Sequence, residues 1–271
     1  MMCADAIFKM KLFVDIWSYR YALRNLLLKD FRIRYRNMSL GMLWSILNPL
    51  VMLGMLMALF TFIYPQRGIP NFPIFILIGL TCYNMMSLSI PAATACILEN
   101  AAIVKKVAFP RYILPLSVVL SQSFHTLIQL GLVFVFMALR GIGPNWHWLW
   151  LPVVLLVELL FIMGAGLMAS ALNVSFRDVR YLTENGLTIL FWLSPVFYPL
   201  TAVTEHSRWW VGLLYQFNPL AGCIDAARRA LLAGTHPDPL AFGLAAGVAA
   251  ATFIGGLLVF RKMEATFADL I

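Results

Sequence analysis

Apolar residues gather in six long runs, 40–64, 73–98, 112–139, 146–174, 185–204 and 240–260, separated by short polar or charged stretches. A helix needs about 20 apolar residues to cross the hydrocarbon core, because every backbone amide must be bonded internally where there is no water. The pattern therefore predicts an all-α integral membrane protein, one transmembrane domain spanning 1–271 with six transmembrane helices. A further apolar piece, 209–224, is shorter, is broken by Asn218-Pro219 and runs into Asp225, Arg228 and Arg229. It fits a re-entrant or interfacial segment between spans five and six better than a seventh crossing. The first run starts only near Leu40, behind a long charged segment, and far exceeds the apolar core of a signal peptide, so it is expected to stay in the mature protein.

Ahead of the first run, 17–36 reads as a helix lying in the membrane interface. Tyr19, Leu23, Leu26 and Ile33 fall on one side and Arg20, Arg24, Arg32 and Arg36 on the other, with Leu27 and Phe31 blurring the division. The plainer reading of the same residues is a basic anchor that sets topology. Cytoplasmic flanks carry excess Lys and Arg. With the N-terminus inside, only Arg67, Arg140, Arg208, Arg228 and Arg229 fall outside, and the other fifteen of the twenty basic residues fall inside. Both termini are thus expected in the cytoplasm.

Composition agrees with a membrane protein: 62% hydrophobic residues, 12% charged and a mean hydropathy of +0.84. The net charge of +8 lies beside the apolar runs, where topology and anionic lipid account for it, and nucleic acid is excluded as a partner. Cys3, Cys82, Cys96 and Cys223 have neither disulfide-framework nor metal-ligand spacing and read as small packing residues. No phosphate-binding loop, HExxH or GxSxG motif occurs, so no catalytic residue, metal or cofactor is assigned, and any ATP hydrolysis falls to a partner.

Two ionisable residues lie at mid-membrane depth, His125 in the third span and Glu158 in the fourth, and burial of either is costly unless it is paired or wet. Gln122, His125 and Gln129 share a helical face. These polar groups admit three readings: an interhelical contact, the lining of a substrate path paired with Glu158, or a proton relay. Aromatic residues recur in the first and fifth spans, Trp44 and Tyr64, then Phe191, Trp192, Phe197 and Tyr198 around Ser194-Pro195. Such rings can face lipid, or stack on sugar faces while holding them weakly. Pro195 and Pro199 are expected to kink or break the fifth helix. Gly243, Gly247, Ala251 and Gly255, four residues apart on the last span, predict a tight helix contact.

The order of these features resembles the membrane subunit of type 2 ABC exporters, specifically the polysaccharide and O-antigen or teichoic acid permeases, over nearly the whole chain. The stretch 29–44, Lys-Asp-Phe-Arg-Ile-Arg-Tyr-Arg-Asn-Met-Ser-Leu-Gly-Met-Leu-Trp, with Asn48-Pro49, resembles the family's interfacial helix entering its first span. The stretch 99–111, Glu-Asn-Ala-Ala-Ile-Val-Lys-Lys-Val-Ala-Phe-Pro-Arg, with Leu114-Pro115, resembles the loop between spans two and three. Phe-Arg-Asp-Val-Arg at 176–180 and Trp-Leu-Ser-Pro-Val-Phe-Tyr at 192–198 resemble the fourth loop and fifth span, and Asn218-Pro219 the external re-entrant segment.

The resemblance implies a multi-pass permease of the bacterial inner membrane acting in lipopolysaccharide biosynthesis. It would be a homodimer, each copy docked on a cytoplasmic ATPase subunit that binds ATP and Mg. The pore would lie on the dimer axis, lined by the first and fifth spans, with Trp44, Asn48, Tyr64, Phe191, Trp192, Phe197 and Tyr198 as lining residues. ATPase closure would reach the membrane through Glu99, Lys105, Lys106, Phe109, Arg111, Arg177 and Asp178, and through Arg24, Arg32 and Arg36 of the interfacial helix. The cargo would be a glycan on undecaprenyl diphosphate. A capsular or teichoic acid exporter shares this architecture. From other classes, a membrane glycosyl or acyl transferase would use Glu158 and His125 as acid and base, and a channel or secondary carrier would need no ATPase.

Overall fold

The computed structural model describes residues 19–35, 43–63, 69–106, 109–200, 212 and 215–270. Among them every regular element is helical. Helix α1 is Arg20–Tyr35, and α2 is Trp44–Ala58, which passes into a π-helical segment, Leu59–Ile63. Helix α3 is Phe72–Glu99, α4 is Ala101–Lys106, α5 is Ile113–Leu139, and α6 is Trp150–Ser175 behind a 3₁₀ turn, Trp146–Leu149. Then come α7, Val179–Leu193; α8, Pro219–Arg228, with a π-helical segment Arg229–Ala233; α9, Pro239–Glu264; and α10, Phe267–Leu270.

Local chemistry explains several boundaries. Asp238 starts α9 by accepting from the Leu240 and Ala241 amides, with Pro239 in the first turn where its missing N–H costs nothing. Asn218 does the same for α8, accepting from the Leu220 amide ahead of Pro219. Gly141 ends α5 at φ 71°; its amide donates to the Ala138 carbonyl and that of Ile142 to the Met137 carbonyl, the paired bonds of a Schellman end.

Among the described residues, four elements are long and apolar enough to cross a membrane: Phe72–Glu99, Ile113–Leu139, Trp146–Ser175 and Pro239–Glu264. They match the predicted second, third, fourth and sixth spans. Where the first span is predicted, 40–64, the described residues hold α2, a shorter apolar helix of 15 residues, and its π-helical extension. The predicted fifth differs more: its helix starts at Val179, earlier than 185, and stops at Leu193 instead of reaching 204. Pro195 is the cause, since proline disfavours the α conformation of the residue before it, and Ser194 is extended at φ −101° and ψ 148°. At 15 residues, α7 is about 22 Å long, short of the roughly 30 Å hydrocarbon core. Residues 201–204 of the predicted span lie outside the described residues, as do 209–211, 213 and 214 of the further apolar piece.

Helix α3 runs through the centre, buried on nearly every side and packed against α5, α6, α7 and α8. Helix α9 lies along α6. The predicted small-residue stripe is not the face that packs: nothing lies within 4 Å of a Cβ added at Gly243, Gly247 or Gly255, and Ala251 is exposed. Contact instead runs through Ala245, Ala249 and Gly256, where Gly256 meets the Gly164 backbone and a Cβ on Gly164 would lie 2.5 Å from the Phe253 Cα. The physical reason lies in the partner: α6 offers its own glycine, Gly164, so backbones approach closely only where the two glycines face each other.

A second apolar cluster closes one end of the bundle. Ile97, Val104, Ile113, Leu114, Phe260 and Phe267 are among its residues, and Tyr19 with Leu23 and Leu26 of α1 packs onto it while Arg20 and Arg24 are exposed. These five residues divide between two sides. The Ile33 and Arg32 side chains and Arg36 lie outside the described residues.

Candidate functional site

Helix α7 breaks into an aromatic knot. The Phe191 ring lies 5.3 Å from Trp192 and 4.8 Å from Tyr83 of α3; Phe197 lies 5.7 Å from Trp192, 5.1 Å from Tyr198 and 5.6 Å from Phe60 beyond α2. The Tyr198 hydroxyl reaches the Trp192 carbonyl at 3.2 Å and the Tyr215 hydroxyl at 2.8 Å, while the Asn218 amide donates to Ser194 Oγ at 3.2 Å. The break is therefore stitched to the segment that leads into α8. Of the residues expected to line a pore, Trp44, Asn48 and Trp192 are exposed, Phe197 and Tyr198 half-buried, and Phe191 buried beside a cavity. Tyr64 lies outside the described residues.

Arg228 holds this break in place, and the sequence reading missed it by counting it among the external charges. It is 6% exposed. Its Nη1 donates to the carbonyls of Pro195 (2.6 Å) and Tyr198 (3.3 Å), its Nη2 to those of Val196 (2.5 Å) and Phe75 (3.0 Å), and its Nε also to Phe75 (3.1 Å). Cζ sits 3.4 Å from the Phe75 ring centroid. A helix broken at proline leaves carbonyls without donors, and the planar guanidinium supplies several at once. Gly79 makes room for it: a Cβ there would be 2.6 Å from Arg228 Nη2 and 2.6 Å from the Val196 oxygen. The signal in the sequence was a cation set among Ala226, Ala227 and Ala230, since a charge in an apolar helix must find partners. Arg229, next to it, instead makes a half-exposed ion pair with Asp225 at 2.6 Å.

The mid-membrane polar residues do not form one constellation. Ser45 of α2 and His125 Nδ1 are 2.6 Å apart, and the Asn84 amide of α3 donates to Gln129 Oε1 at 3.3 Å. Both bonds join helices. Glu158 is buried, and the group beside its carboxylate is the Cys82 thiol. Glu158 and His125 thus keep different company, His125 with α2 and Glu158 with α3. Among the described residues no group of His, Cys, Asp or Glu could hold a metal.

At the loop between α3 and α5, Glu99, Lys105 and Lys106 are exposed, while Phe109 packs on the second apolar cluster. Arg111 is held by the end of α9: its amide donates to Glu264 Oε1 at 3.1 Å and its Nη1 to the Glu264 carbonyl at 2.6 Å. Lys29 of α1 donates to Asn100 Oδ1 at 2.6 Å, and Asn100 in turn caps α3 by donating to the Cys96 carbonyl at 2.8 Å. The loop is thereby tied to α1 on one side and α9 on the other. Arg177 and Asp178, in the bend between α6 and α7, are exposed.

Four long apolar helices, a fifth and sixth that are shorter, and a charged loop carried on the bundle define a polytopic membrane protein. Residues 21–232 match the ABC-2 type transporter family, and the chain belongs to that family. It is 30% identical over 257 residues to the "O-antigen export system permease protein RfbA" of Myxococcus xanthus, covering 95% of this chain and 98% of that one. It is 29% identical over 245 residues to the protein of the same name from Klebsiella pneumoniae, covering 90% and 92%. To the "Polysialic acid transport protein KpsM" of Escherichia coli it is 25% identical over 246 residues, covering 88% and 92%.

Proposed function

We propose that this chain is the transmembrane subunit of an exporter that moves a lipid-linked polysaccharide of O-antigen type across the bacterial inner membrane, driven by a separate ATPase. The observation that carries this reading is end-to-end similarity to O-antigen export permeases at 30% identity. The aromatic knot supports it, because a path for a long neutral polymer needs smooth walls and few strong hydrogen bonds.

In this reading the chain crosses six times, α2 and α7 serving as first and fifth spans and α8 as part of a re-entrant segment, with both termini in the cytoplasm. Two copies form the path between their α2 and α7 faces. The exposed Glu184, Asn185 and Thr188 on α7 support this arrangement, since lipid would solvate them poorly. The ATPase docks on α4, where Lys105 and Lys106 are exposed, and on the Arg177-Asp178 bend. Arg111, engaged by Glu264, passes motion of the loop into α9 rather than meeting the ATPase, and Lys29 passes it into α1.

The test is expression in a strain lacking its own O-antigen permease, with a tagged ATPase subunit from the same operon. Surface polysaccharide should return, the ATPase should copurify, and Lys105→Glu with Lys106→Glu should abolish both. Restored export with an unaffected ATPase interaction in that variant would overturn the docking assignment; export without any ATPase would overturn the whole reading. The resemblance to KpsM favours a capsular cargo as second reading, separable by the lipid attached to the intracellular polymer that accumulates when the gene is deleted.

A further inference from the structure

Between α2, α3 and α7 lies a cavity of about 310 Å³, whose lining includes Asn48, Met52, Tyr83, Asn84, Thr188 and Phe191. Its size is at the lower end of the roughly 300–1,000 Å³ of small-molecule sites. Asn48 and Thr188 are exposed, so it can be reached from outside the bundle.

Its polar groups offer mainly acceptors. Tyr83 donates its hydroxyl hydrogen to the Leu187 carbonyl at 3.1 Å, and Thr188 donates its own to the Glu184 carbonyl at 3.1 Å. The Asn84 amide nitrogen donates to Gln129 at 3.3 Å. Tyr83 and Thr188 have given their single donor to the protein and keep an oxygen lone pair for a ligand, and Asn84, with one amide N–H on Gln129, keeps its carbonyl oxygen and a second N–H. Asn48, with an amide on an otherwise apolar face of α2, adds donors. Phe191 and Met52 supply an apolar wall, and Phe191 is fixed by the Tyr83 ring 4.8 Å away. No residue lining the cavity is charged. A phosphate or carboxylate would lose its hydration there without a cation to replace it.

We propose that this cavity is a subsite for one neutral sugar ring of the exported glycan, its hydroxyls donating to Tyr83, Asn84 and Thr188 and its C–H face lying on Phe191. The inference rests on the export reading and narrows it: sugar units, not the diphosphate carrier, are held here. A ring with several hydroxyl donors matches three acceptors, and one that binds through few, neutral hydrogen bonds is released easily as a polymer advances.

The experiment is saturation-transfer NMR on the purified permease with maltotriose as neutral probe and 3′-sialyllactose as anionic probe. Wild type should transfer saturation to the maltotriose, and more weakly to the terminal sialic acid than to neutral rings. Asn84→Leu, which removes the amide and leaves an apolar side chain of similar shape in its place, should reduce transfer about tenfold, as expected for losing one or two hydrogen bonds. Should that variant fail to fold, Asn48→Leu at the exposed edge is the second variant, with the same expected loss. No transfer to maltotriose, transfer unchanged in the variant that folds, or equal transfer to the sialic acid would overturn the proposal. In cells the failures separate: wild type restoring export with no probe binding removes the subsite and leaves the permease, whereas probe binding without export removes the permease reading.

Discussion

Replacing Arg228 with Met keeps most of the side-chain volume and removes all five hydrogen bonds to the carbonyls of Phe75, Pro195, Val196 and Tyr198. The Phe75 carbonyl belongs to a helix, so the heavier loss falls on the three carbonyls of the break. Stranding a buried acceptor costs about 1–3 kcal/mol. Relaxation of the break holds the sum to about 3–5 kcal/mol, the range for stripping one partner from a buried charged network. At roughly 2–4 °C per kcal/mol for a chain of this size, the thermal midpoint should fall by roughly 6–20 °C. Arg229→Met is the internal control. It removes an ion pair whose side chains are 37% and 17% exposed, expected to be worth less than about 1 kcal/mol, so its midpoint should move by no more than about 4 °C. The assay is thermal unfolding of both purified variants in one detergent, followed by the loss of the monodisperse size-exclusion peak. Equal midpoints for the two variants would refute the view that Arg228 holds the break together.

Two further outcomes test the packing. Gly164→Ala places a methyl 2.5 Å from the Phe253 backbone and should destabilise by about 1–3 kcal/mol by forcing α6 and α9 apart, whereas Gly247→Ala, with open space around it, should be neutral or gain a few tenths of a kcal/mol from helix propensity; thermal midpoints check both. Lys29→Met removes the 2.6 Å bond to Asn100 and should raise hydrogen exchange of the α1 amides about fivefold, the equivalent of about 1 kcal/mol; unchanged exchange would mean that α1 is held by Tyr19, Leu23 and Leu26 alone.

The second, third, fourth and sixth spans and the break at Pro195 were legible in the sequence, because each depends on residues near one another along the chain. Run length reports crossing, and proline acts on its immediate neighbour. The family was legible for a related reason: its motifs are short stretches in a set order.

What only the tertiary structure decided is which groups meet. Helix α9 has two faces of small residues, Gly243, Gly247 and Ala251 at four-residue spacing on one and Ala245, Ala249 and Gly256, four and seven residues apart, on the other, and both spacings keep small residues on one side of a helix. Gly164 on α6 chooses between them. Arg228 and Arg229 are indistinguishable by composition, yet one is enclosed by carbonyls and the other pairs with Asp225 near the surface. His125 and Glu158 are both ionisable residues inside long apolar helices, yet one meets Ser45 and the other Cys82. In a membrane protein hydrophobicity is nearly uniform over the helix surface, so it places helices in the bilayer without orienting them. Their rotation and partners come from close packing and from the few polar groups that must find each other, both properties of residues far apart in sequence.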